Sequence, residues 1–178
     1  HAKAFDWVMV LVKQHPSSIT EKDVLHLHNI ILKGIDDDNA GHYRHVAVRI
    51  VGSRTVLPNF LKVPDLMAEF ITWLNTAAGH PVEIAAYAHY KLVTIHPFVD
   101  WNGRTARLLM NLILMMYGYP PAIIPMRDRL TYLNALEKAQ TGGTIDNYMN
   151  LMMKEVDQSL DMYLNALEGE SDWSKKRE

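Results

Sequence analysis

Residues 95 to 109 read I-H-P-F-V-D-W-N-G-R-T-A-R-L-L and decide how the middle of the chain folds. Apolar residues dominate on both sides of this stretch, whereas its centre carries a His, an Asp, an Asn and two Arg. This pattern predicts a loop over residues 96–102 between two helices. Because the first turn of a helix has unpaired N–H groups and a partial positive charge, the second helix is expected to begin at an anion site.

Four side chains of this stretch have the chemistry needed to hold and transfer a phosphate group. Arg104 and Arg107 are three residues apart, on one helix face, and the planar donor fork of Arg suits phosphate oxygens. Asp100 is a hard oxygen ligand whose natural partner beside phosphate is Mg²⁺. His96 can take a proton from a hydroxyl nucleophile. The stretch therefore predicts nucleotide or phosphoryl transfer.

The segment His96 to Arg107 also resembles the signature of the Fic family, H-P-F-x-(D or E)-G-N-G-R-x-x-R. It matches at every fixed position except one, where Trp101 stands in place of Gly. The resemblance covers nearly the whole chain. The chain is especially similar to the animal endoplasmic-reticulum Fic enzyme and its bacterial relatives. Three further segments carry this resemblance, namely Gly41-His42-Tyr43-Arg44, His80-Pro81-Val82-Glu83 and Tyr117-Gly118-Tyr119-Pro120-Pro121.

The resemblance implies a protein adenylyltransferase that moves AMP from ATP to a Ser, Thr or Tyr hydroxyl of a target protein and releases pyrophosphate. It implies Mg²⁺ as cofactor and ATP as co-substrate. Motif positions assign the roles: His96 as the base, Asp100 as the Mg²⁺ ligand, Phe98 as the buried anchor of the loop, Asn102, Gly103 and Arg104 as phosphate contacts, and Arg107 as the contact to the γ-phosphate.

Two further regions receive roles from the resemblance alone. A β-hairpin around Gly52, with Val46, Val48, Ile50 and Val56, corresponds to the flap that binds the target segment by strand pairing. Tyr132 occupies the place of a Tyr that lines the adenine pocket in relatives, and Gln140 falls where relatives often have an Asn.

The Trp at position 101 lies between the metal ligand and the phosphate-binding Asn. Gly serves where the backbone approaches a ligand closely or takes a positive φ. Three alternatives follow: the indole points outward and the enzyme is slower, it blocks the phosphate site and leaves an inactive domain, or it stacks on a base or a partner and alters specificity. The hypothesis favoured here is a nucleotide site weakened by Trp101.

Many Fic proteins carry an inhibitory helix with the motif (S or T)-x-x-x-E-(G or N), whose Glu pairs with the last motif Arg. Glu168-Gly169 has the right ending, but Leu164 stands where Ser or Thr is required. In similar Fic enzymes this helix lies just upstream of the segment that begins here at His1, so the helix is expected to be absent from this chain. We expect Arg107 to lack that partner and the domain to transfer AMP rather than to hydrolyse it.

Two other functions compete with AMP transfer. A Doc-type phosphotransferase often replaces the Gly after Asn, so Gly103 favours AMP transfer. A catalytically inactive Fic module that acts as a binding or regulatory protein has only Trp101 in its support. We expect a homodimer, and neither a nucleic-acid partner nor a membrane attachment in this part of the protein. The bacterial cytoplasm is the expected compartment, with the endoplasmic reticulum second.

The composition fits one folded domain: 178 residues, 48% hydrophobic, a formal net charge of −2 and no cysteine. We predict an all-α bundle with one β-hairpin over His45 to Leu57, a catalytic domain over 1–167 and a polar tail over 168–178. His26 and His28 are expected to have ordinary surface or packing roles, and His89 is expected to be a core residue, rather than metal ligands. The predicted helices run over about Lys3–Val12, Thr20–Leu32, Pro64–Thr76, Pro81–Ile95, Gly103–Tyr117, Arg127–Gln140 and Thr144–Leu167.

Overall fold

The structure is a computed structural model that describes residues 2–14 and 18–175. Within these residues the chain forms a bundle of α-helices, which confirms the expected all-α class. Short 3-10 helices precede α3 and α6, at Phe60–Lys62 and Met126–Asp128. The α-helices are α1 Ala2–Gln14, α2 Glu21–Leu32, α3 Val63–Thr76, α4 Pro81–Ile95, α5 Asn102–Met116, α6 Arg129–Gln140 and α7 Asp146–Lys175.

The two helices joined by the 96–101 loop form the centre of the bundle. α4 and α5 pack against each other, with α1 and α2 on the α5 side and α3 and α7 on the α4 side. The apolar face of α5 is buried through Leu109, Leu112 and Leu114, each 0% exposed. Burial of apolar surface stabilises the folded state by about 25 cal/mol per Å². The packing of α4 against α5 therefore holds both ends of the 96–101 loop in place.

Local sequence signals explain where several helices begin. Thr20 caps α2 through a reciprocal pair of hydrogen bonds, because its N–H donates to Asp23 Oδ2 at 2.7 Å and its Oγ1 accepts from Asp23 N at 3.3 Å. Pro81 is the first residue of α4, where its missing N–H costs no hydrogen bond. These starts agree with the sequence-based boundaries.

The predicted β-hairpin over residues 45–57 is not formed, since no strand is present in that segment. One backbone bond closes its turn, from Ser53 N to Ile50 O at 3.2 Å. The N–H of Arg54 donates to Glu137 Oε1 on α6 at 2.9 Å rather than to an opposite strand. Exposed and half-buried residues still alternate over 47–50 and over 52–57, so a period of two is present without a strand ladder. We call residues 45–57 the flap segment.

The C-terminal helix α7 continues past Leu167, where the sequence predicted its end, to Lys175. Residues 161–167 are all exposed, so this part of the helix extends away from the bundle. The assignment of 168–178 as a tail outside the catalytic domain stays a prediction. Among the helices in the described part of the chain, none is long and apolar enough to cross a membrane. His1, residues 15–17 and residues 176–178 lie outside the described residues.

Candidate active site

A cavity of about 580 Å³ opens where the C-terminus of α4 meets the N-terminus of α5. The flap segment and α6 form its other walls. Most residues singled out from the sequence line this cavity, although they come from three separate parts of the chain. They are His96, Asp100, Trp101, Asn102, Gly103, Arg104, Arg107, Tyr132, Gln140 and Ile50.

His96 ends α4 in the left-handed conformation, with φ 53° and ψ 59°. Its Nδ1 lies 3.2 Å from the carbonyl oxygen of Val93, which requires a proton on Nδ1 and leaves Nε2 as an acceptor. Burial lowers the pKa of His96, and the nearby Arg44 charge lowers it further. The imidazole is therefore neutral at pH 7 and can accept a proton through Nε2.

Arg44 holds the His96 end of the loop, a role that sequence reasoning missed. The side chain is 3% exposed, and its Nε donates to His96 O at 2.7 Å. A second nitrogen donates to Pro58 O at 2.6 Å, while the Arg44 N–H donates to Pro97 O at 2.8 Å. Arg44 thus joins the 96–101 loop, which we call the catalytic loop, to Pro58, the residue that follows the flap segment. The only sequence signal for this role was that Arg44 lies in segment 41–44, one of the segments that resemble the Fic family.

Asn102 and Phe98 close the loop on itself. Asn102 Oδ1 accepts from Phe98 N at 2.9 Å, and Asn102 Nδ2 donates to Phe98 O at 2.9 Å. Both residues are buried, which agrees with Phe98 as the anchor. Because both ends of the Asn102 amide bind Phe98, its side chain fixes the shape of the loop. The phosphate contact of Asn102 stays a prediction, and the N–H groups of the first turn of α5 are the expected phosphate donors.

His28 contacts the same loop through Phe98 and Asp100. Its assignment to an ordinary surface or packing role did not predict these contacts. Its ring stacks on Phe98, with centroids 3.7 Å apart and planes 2° from parallel. Nδ1 accepts from Gly41 N at 3.0 Å, so Nε2 carries the proton and donates to Asp100 O at 3.2 Å. Burial lowers the pKa of His28 to about 4, which keeps the ring neutral. No local pattern could show this contact, because 72 positions separate the two residues.

Asp100 presents its carboxylate to the cavity, and one oxygen accepts from Trp101 N at 2.7 Å. Within the described residues no cluster of three or more His, Cys, Asp or Glu could hold a metal by itself. A single exposed carboxylate beside a phosphate site suits Mg²⁺, which keeps several water or phosphate oxygens as ligands. The donor set therefore fits Mg²⁺ bound jointly by Asp100 and a nucleotide.

Trp101 has φ 63° and ψ 14°, a conformation that Gly adopts freely and other residues adopt at a cost of about 1–2 kcal/mol. Of the two reasons for a Gly at this position, close approach to a ligand or a positive φ, the structure shows the positive φ. The Arg104 guanidinium lies over the indole, 4.0 Å from the ring centre. The indole thus stacks, as in the third alternative, but its partner is an arginine of the same chain.

Arg107 and Tyr132 both line the cavity, on the wall formed by α5 and α6. Burial raises the pKa of Tyr132 to about 12, although the nearby charge of Arg107 opposes that shift. Tyr132 is 5% exposed, so little more than one edge of its ring faces the cavity. Its adenine-binding role stays a prediction.

Gln140 connects the flap segment to the bundle. Its Oε1 accepts from Thr55 Oγ1 at 3.0 Å, and its Nε2 donates to Thr94 Oγ1 at 3.0 Å. Of the residues assigned to target binding, Ile50 lines the cavity. Val46, Val48 and Val56 lie elsewhere on the flap segment, and Val56 is 92% exposed.

The cavity brings together a helix N-terminus, two arginines, a neutral His and one carboxylate, which are groups that can bind phosphate and accept a proton. The family model described as Fic/DOC matches residues 18–114, more than half of the chain. The chain belongs to the Fic/DOC family.

Individual relatives agree with the family match. The chain is 44% identical over 151 residues to Protein adenylyltransferase Fic of Drosophila persimilis, covering 83% of this chain and 29% of that protein. It therefore spans less than a third of the length of such relatives.

Solved structures give the same result. Fic-1 from C. elegans superimposes with a TM-score of 0.84 at 33% identity, over 94% of this chain and 50% of the other. A Fic domain containing signaling protein from Bacteroides thetaiotaomicron superimposes with a TM-score of 0.80 at 28% identity, over 94% and 72%.

Proposed function

We propose that the chain is the catalytic domain of a protein adenylyltransferase, which moves AMP from ATP to a hydroxyl side chain of a target protein. The observation that carries this proposal is the meeting of neutral His96 with Arg104 and Arg107 at the N-terminus of α5. Relatives that bear the name Protein adenylyltransferase Fic support the same reaction.

In the proposed reaction, His96 Nε2 takes the proton from the target hydroxyl while the hydroxyl oxygen attacks the α-phosphorus of ATP. The bond between the α-phosphorus and the bridging oxygen breaks, and pyrophosphate leaves with the electron pair. The helix N–H groups, Arg104 and Arg107 stabilise the negative charge on the departing phosphates. The proton on His96 is then released to solvent or to pyrophosphate.

Asp100 would hold Mg²⁺ together with phosphate oxygens, and the ion would supply further charge neutralisation on the phosphates when bound. The chain's own contribution is the position of that carboxylate. Two bonds fix it, because the Asp100 carbonyl accepts from His28 and the Asp100 carboxylate accepts from Trp101 N.

The flap segment is the proposed binding surface for the target. Its outward residues are exposed, and Ile50 reaches the cavity beside the expected path of the hydroxyl. An extended segment with free backbone groups can pair with a target strand, as in other β-augmentation complexes. The target protein would then complete the ladder that the flap segment does not form alone.

Labelled ATP tests the proposal directly. The native chain, its Trp101→Gly variant and its His96→Ala variant would be incubated with Mg²⁺ and ATP labelled on the α-phosphate, together with a cell lysate. We expect label on protein for the first two chains and none for His96→Ala. A parallel reaction with γ-labelled ATP detects a Doc-type phosphotransferase, which would transfer that label instead.

Three other outcomes correct the proposal. Labelling by Trp101→Gly alone would identify Trp101 as an off switch within a correct site. Labelling by neither chain, with Mg-ATP still bound, would favour an inactive binding module. Transfer of the γ-label would favour phosphotransfer. The homodimer and the compartment stay predictions, and light scattering after size-exclusion chromatography measures the former.

A further inference from the structure

The flap segment lies in a stretch of the chain that contains no acidic residue. Residues 39–64 include Arg44, Arg49, Arg54 and Lys62 but no Asp or Glu, although the whole chain has 20 acidic residues against 18 basic ones. A surface of one charge sign attracts partners of the opposite sign and disfavours partners of the same sign. The flap segment is therefore a basic surface on a chain whose formal net charge is −2.

The four cations of this stretch differ in what they contact. Arg44 is buried and its guanidinium binds backbone carbonyl oxygens. Arg54 is paired with Glu137, with Nε 3.2 Å from Oε1. Lys62 is exposed and lies away from the cavity. Arg49 is exposed at the rim of the cavity, and its side chain forms no ion pair or hydrogen bond with the residues that the structure describes. Arg49 is therefore the cation of this stretch that a target bound at the cavity can pair with.

The cavity contains more positive charge than the phosphates of a nucleotide are expected to contact. The charged residues that line it are Arg49, Asp100, Arg104, Arg107 and Arg129. Arg104 and Arg107 are the expected phosphate contacts. Arg129 is the first residue of α6, the wall that carries the expected adenine pocket. Arg49 lies instead on the flap segment, the wall that is proposed to bind the target.

The alternation along the flap segment indicates which target residues face Arg49. Val48 and Ile50 are half-buried, whereas Arg49 between them is exposed. Because successive side chains of an extended chain point to opposite faces, Arg49 and Ile50 lie on different faces of the segment. A target strand paired with the flap segment has the same period. If its hydroxyl residue enters the cavity on the Ile50 face, the residues immediately before and after it lie on the Arg49 face.

We propose that Arg49 is a specificity-determining residue that favours target segments with an acidic side chain immediately before or after the hydroxyl residue. The inference rests on the proposed function, because it takes the flap segment as the surface that pairs with the target. Opposite charges at facing positions of paired strands stabilise the pairing, so one such contact should strengthen target binding about twofold to fivefold. Because the contact is exposed, the preference should weaken as the salt concentration rises.

Four short synthetic peptides test this preference. Each contains one Thr, whose two neighbours are Glu, Gln or Lys in three of the peptides. In the fourth, the neighbours are Gln and the Glu residues stand two positions from the Thr. Fluorescence anisotropy of dye-labelled peptides measures binding to the native chain. We expect the peptide with adjacent Glu to bind about twofold to fivefold more tightly than the Gln peptide, and the Lys peptide to bind most weakly.

The peptide with displaced Glu is a control for the strand register. Its Glu side chains lie on the same face as the Thr, so its affinity should resemble that of the Gln peptide. An affinity equal to that of the peptide with adjacent Glu would overturn the inference, since it would show attraction to acidic peptides in general. Equal behaviour of all four peptides, including no binding by any, would also overturn it.

Reversal of the charge at Arg49 gives a sharper test. Arg49→Glu should reverse the order of the peptides, so that the peptide with adjacent Lys binds more tightly than the peptide with adjacent Glu. Lys62→Glu is the matched control, because it makes the same change of charge on an exposed residue of the same stretch that does not line the cavity. We expect Lys62→Glu to keep the native order. An unchanged order in Arg49→Glu, or a reversed order in both variants, would contradict the role of Arg49.

The affinity for Mg-ATP separates a target contact from a phosphate contact. Calorimetry on the native chain and on Arg49→Glu should give the same dissociation constant for Mg-ATP. A loss of Mg-ATP affinity as large as the loss for the peptide with adjacent Glu would assign Arg49 to the nucleotide and overturn the inference.

The same peptides distinguish failure of this inference from failure of the proposed function. Binding in the expected order, without His96-dependent labelling by ATP labelled on the α-phosphate, contradicts AMP transfer and leaves the role of Arg49 in binding intact. His96-dependent labelling of a lysate protein, without any preference among the peptides, contradicts the role of Arg49 alone.

Discussion

The guanidinium of Arg104 lies 4.0 Å from the centre of the Trp101 ring, so the residue that departs from the family signature contacts a residue that the signature requires. An arginine over an indole face is stabilised by about 0.5–1 kcal/mol at an exposed site. This contact offsets part of the cost of the positive φ at Trp101. It also ties Arg104 to the indole, and ATP must compete with that contact.

Replacement of Trp101 by Gly should therefore increase AMP transfer. The variant removes the backbone strain and releases Arg104 from the indole, so we expect the KM for ATP to fall about twofold to fivefold. Rates of protein labelling at several ATP concentrations provide the measurement. Trp101→Phe is the control, because it keeps an aromatic face and should stay near the native KM. An increase in KM for the Gly variant would refute the competition between ATP and the indole.

Arg44 should matter for both stability and catalysis. Arg44→Lys keeps the charge but cannot reach His96 O and Pro58 O together, so we expect a loss of about 2–4 kcal/mol in the free energy of unfolding. Urea denaturation measures this loss. At urea concentrations below the unfolding midpoint, the variant should also label protein more slowly than the native chain. Arg49→Gln, an exposed change on the same flap segment, should alter stability by less than about 0.5 kcal/mol. Equal stability of the two variants would contradict the role of Arg44.

The stability of the domain should fall as the pH drops below 6.5. Burial lowers the pKa of His28 from its ordinary value of about 6.5 to about 4, and burial lowers the pKa of His89 to about 3. The unfolded chain thus binds protons that the folded chain excludes, and each histidine reduces stability by up to about 1.4 kcal/mol per pH unit once it is charged when unfolded. Above pH 6.5 the effect is absent, because both states are neutral.

The measurement for this pH effect is the free energy of unfolding at pH 7, 6 and 5. His28→Gln should reduce the slope between pH 6 and 5 by the contribution of one proton, while it lowers stability at pH 7 through lost contacts. An unchanged slope in His28→Gln would show that the ring is not excluded from protonation in the folded state.

The flap segment should be loosened by a single hydroxyl deletion. Thr55→Val removes the donor to Gln140 and keeps the shape of the side chain, so target labelling should slow severalfold while the KM for ATP stays constant. Val56→Thr is the matched change at an exposed neighbour and should leave both parameters unaltered. A rise in the KM for ATP, with target labelling unchanged at saturation, would assign this contact to the nucleotide site instead.

The sequence predicted the parts of the site that lie close together along the chain. His96, Asp100, Arg104 and Arg107 reach one cavity because a loop and the first turns of one helix carry them all. Helix starts at Thr20 and Pro81 were also predictable, since a cap or a proline acts within one turn.

Contacts between distant parts of the chain could not be predicted in this way. His28 reaches Asp100, Arg44 reaches His96 and His89 reaches Tyr132 and Tyr148 only after the helices pack. The predicted hairpin failed for a related reason. No ladder joins its two halves, and one backbone donor of the segment, the Arg54 N–H, binds Glu137 on α6 instead.

The two ends of the catalytic loop share an unusual backbone state: His96 and Trp101 are the positive-φ residues other than Gly in the described part of the chain. Each costs about 1–2 kcal/mol and persists only where surrounding structure enforces it. At His96 the surrounding contacts come from earlier parts of the chain, because its N–H donates to Leu92 O and its carbonyl accepts from Arg44 Nε. The loop itself is closed from the other side, by the two bonds between Asn102 on α5 and Phe98. During synthesis on the ribosome, the loop can therefore close only after the first turn of α5 has emerged, so a nascent chain that stops short of α5 lacks both of these bonds.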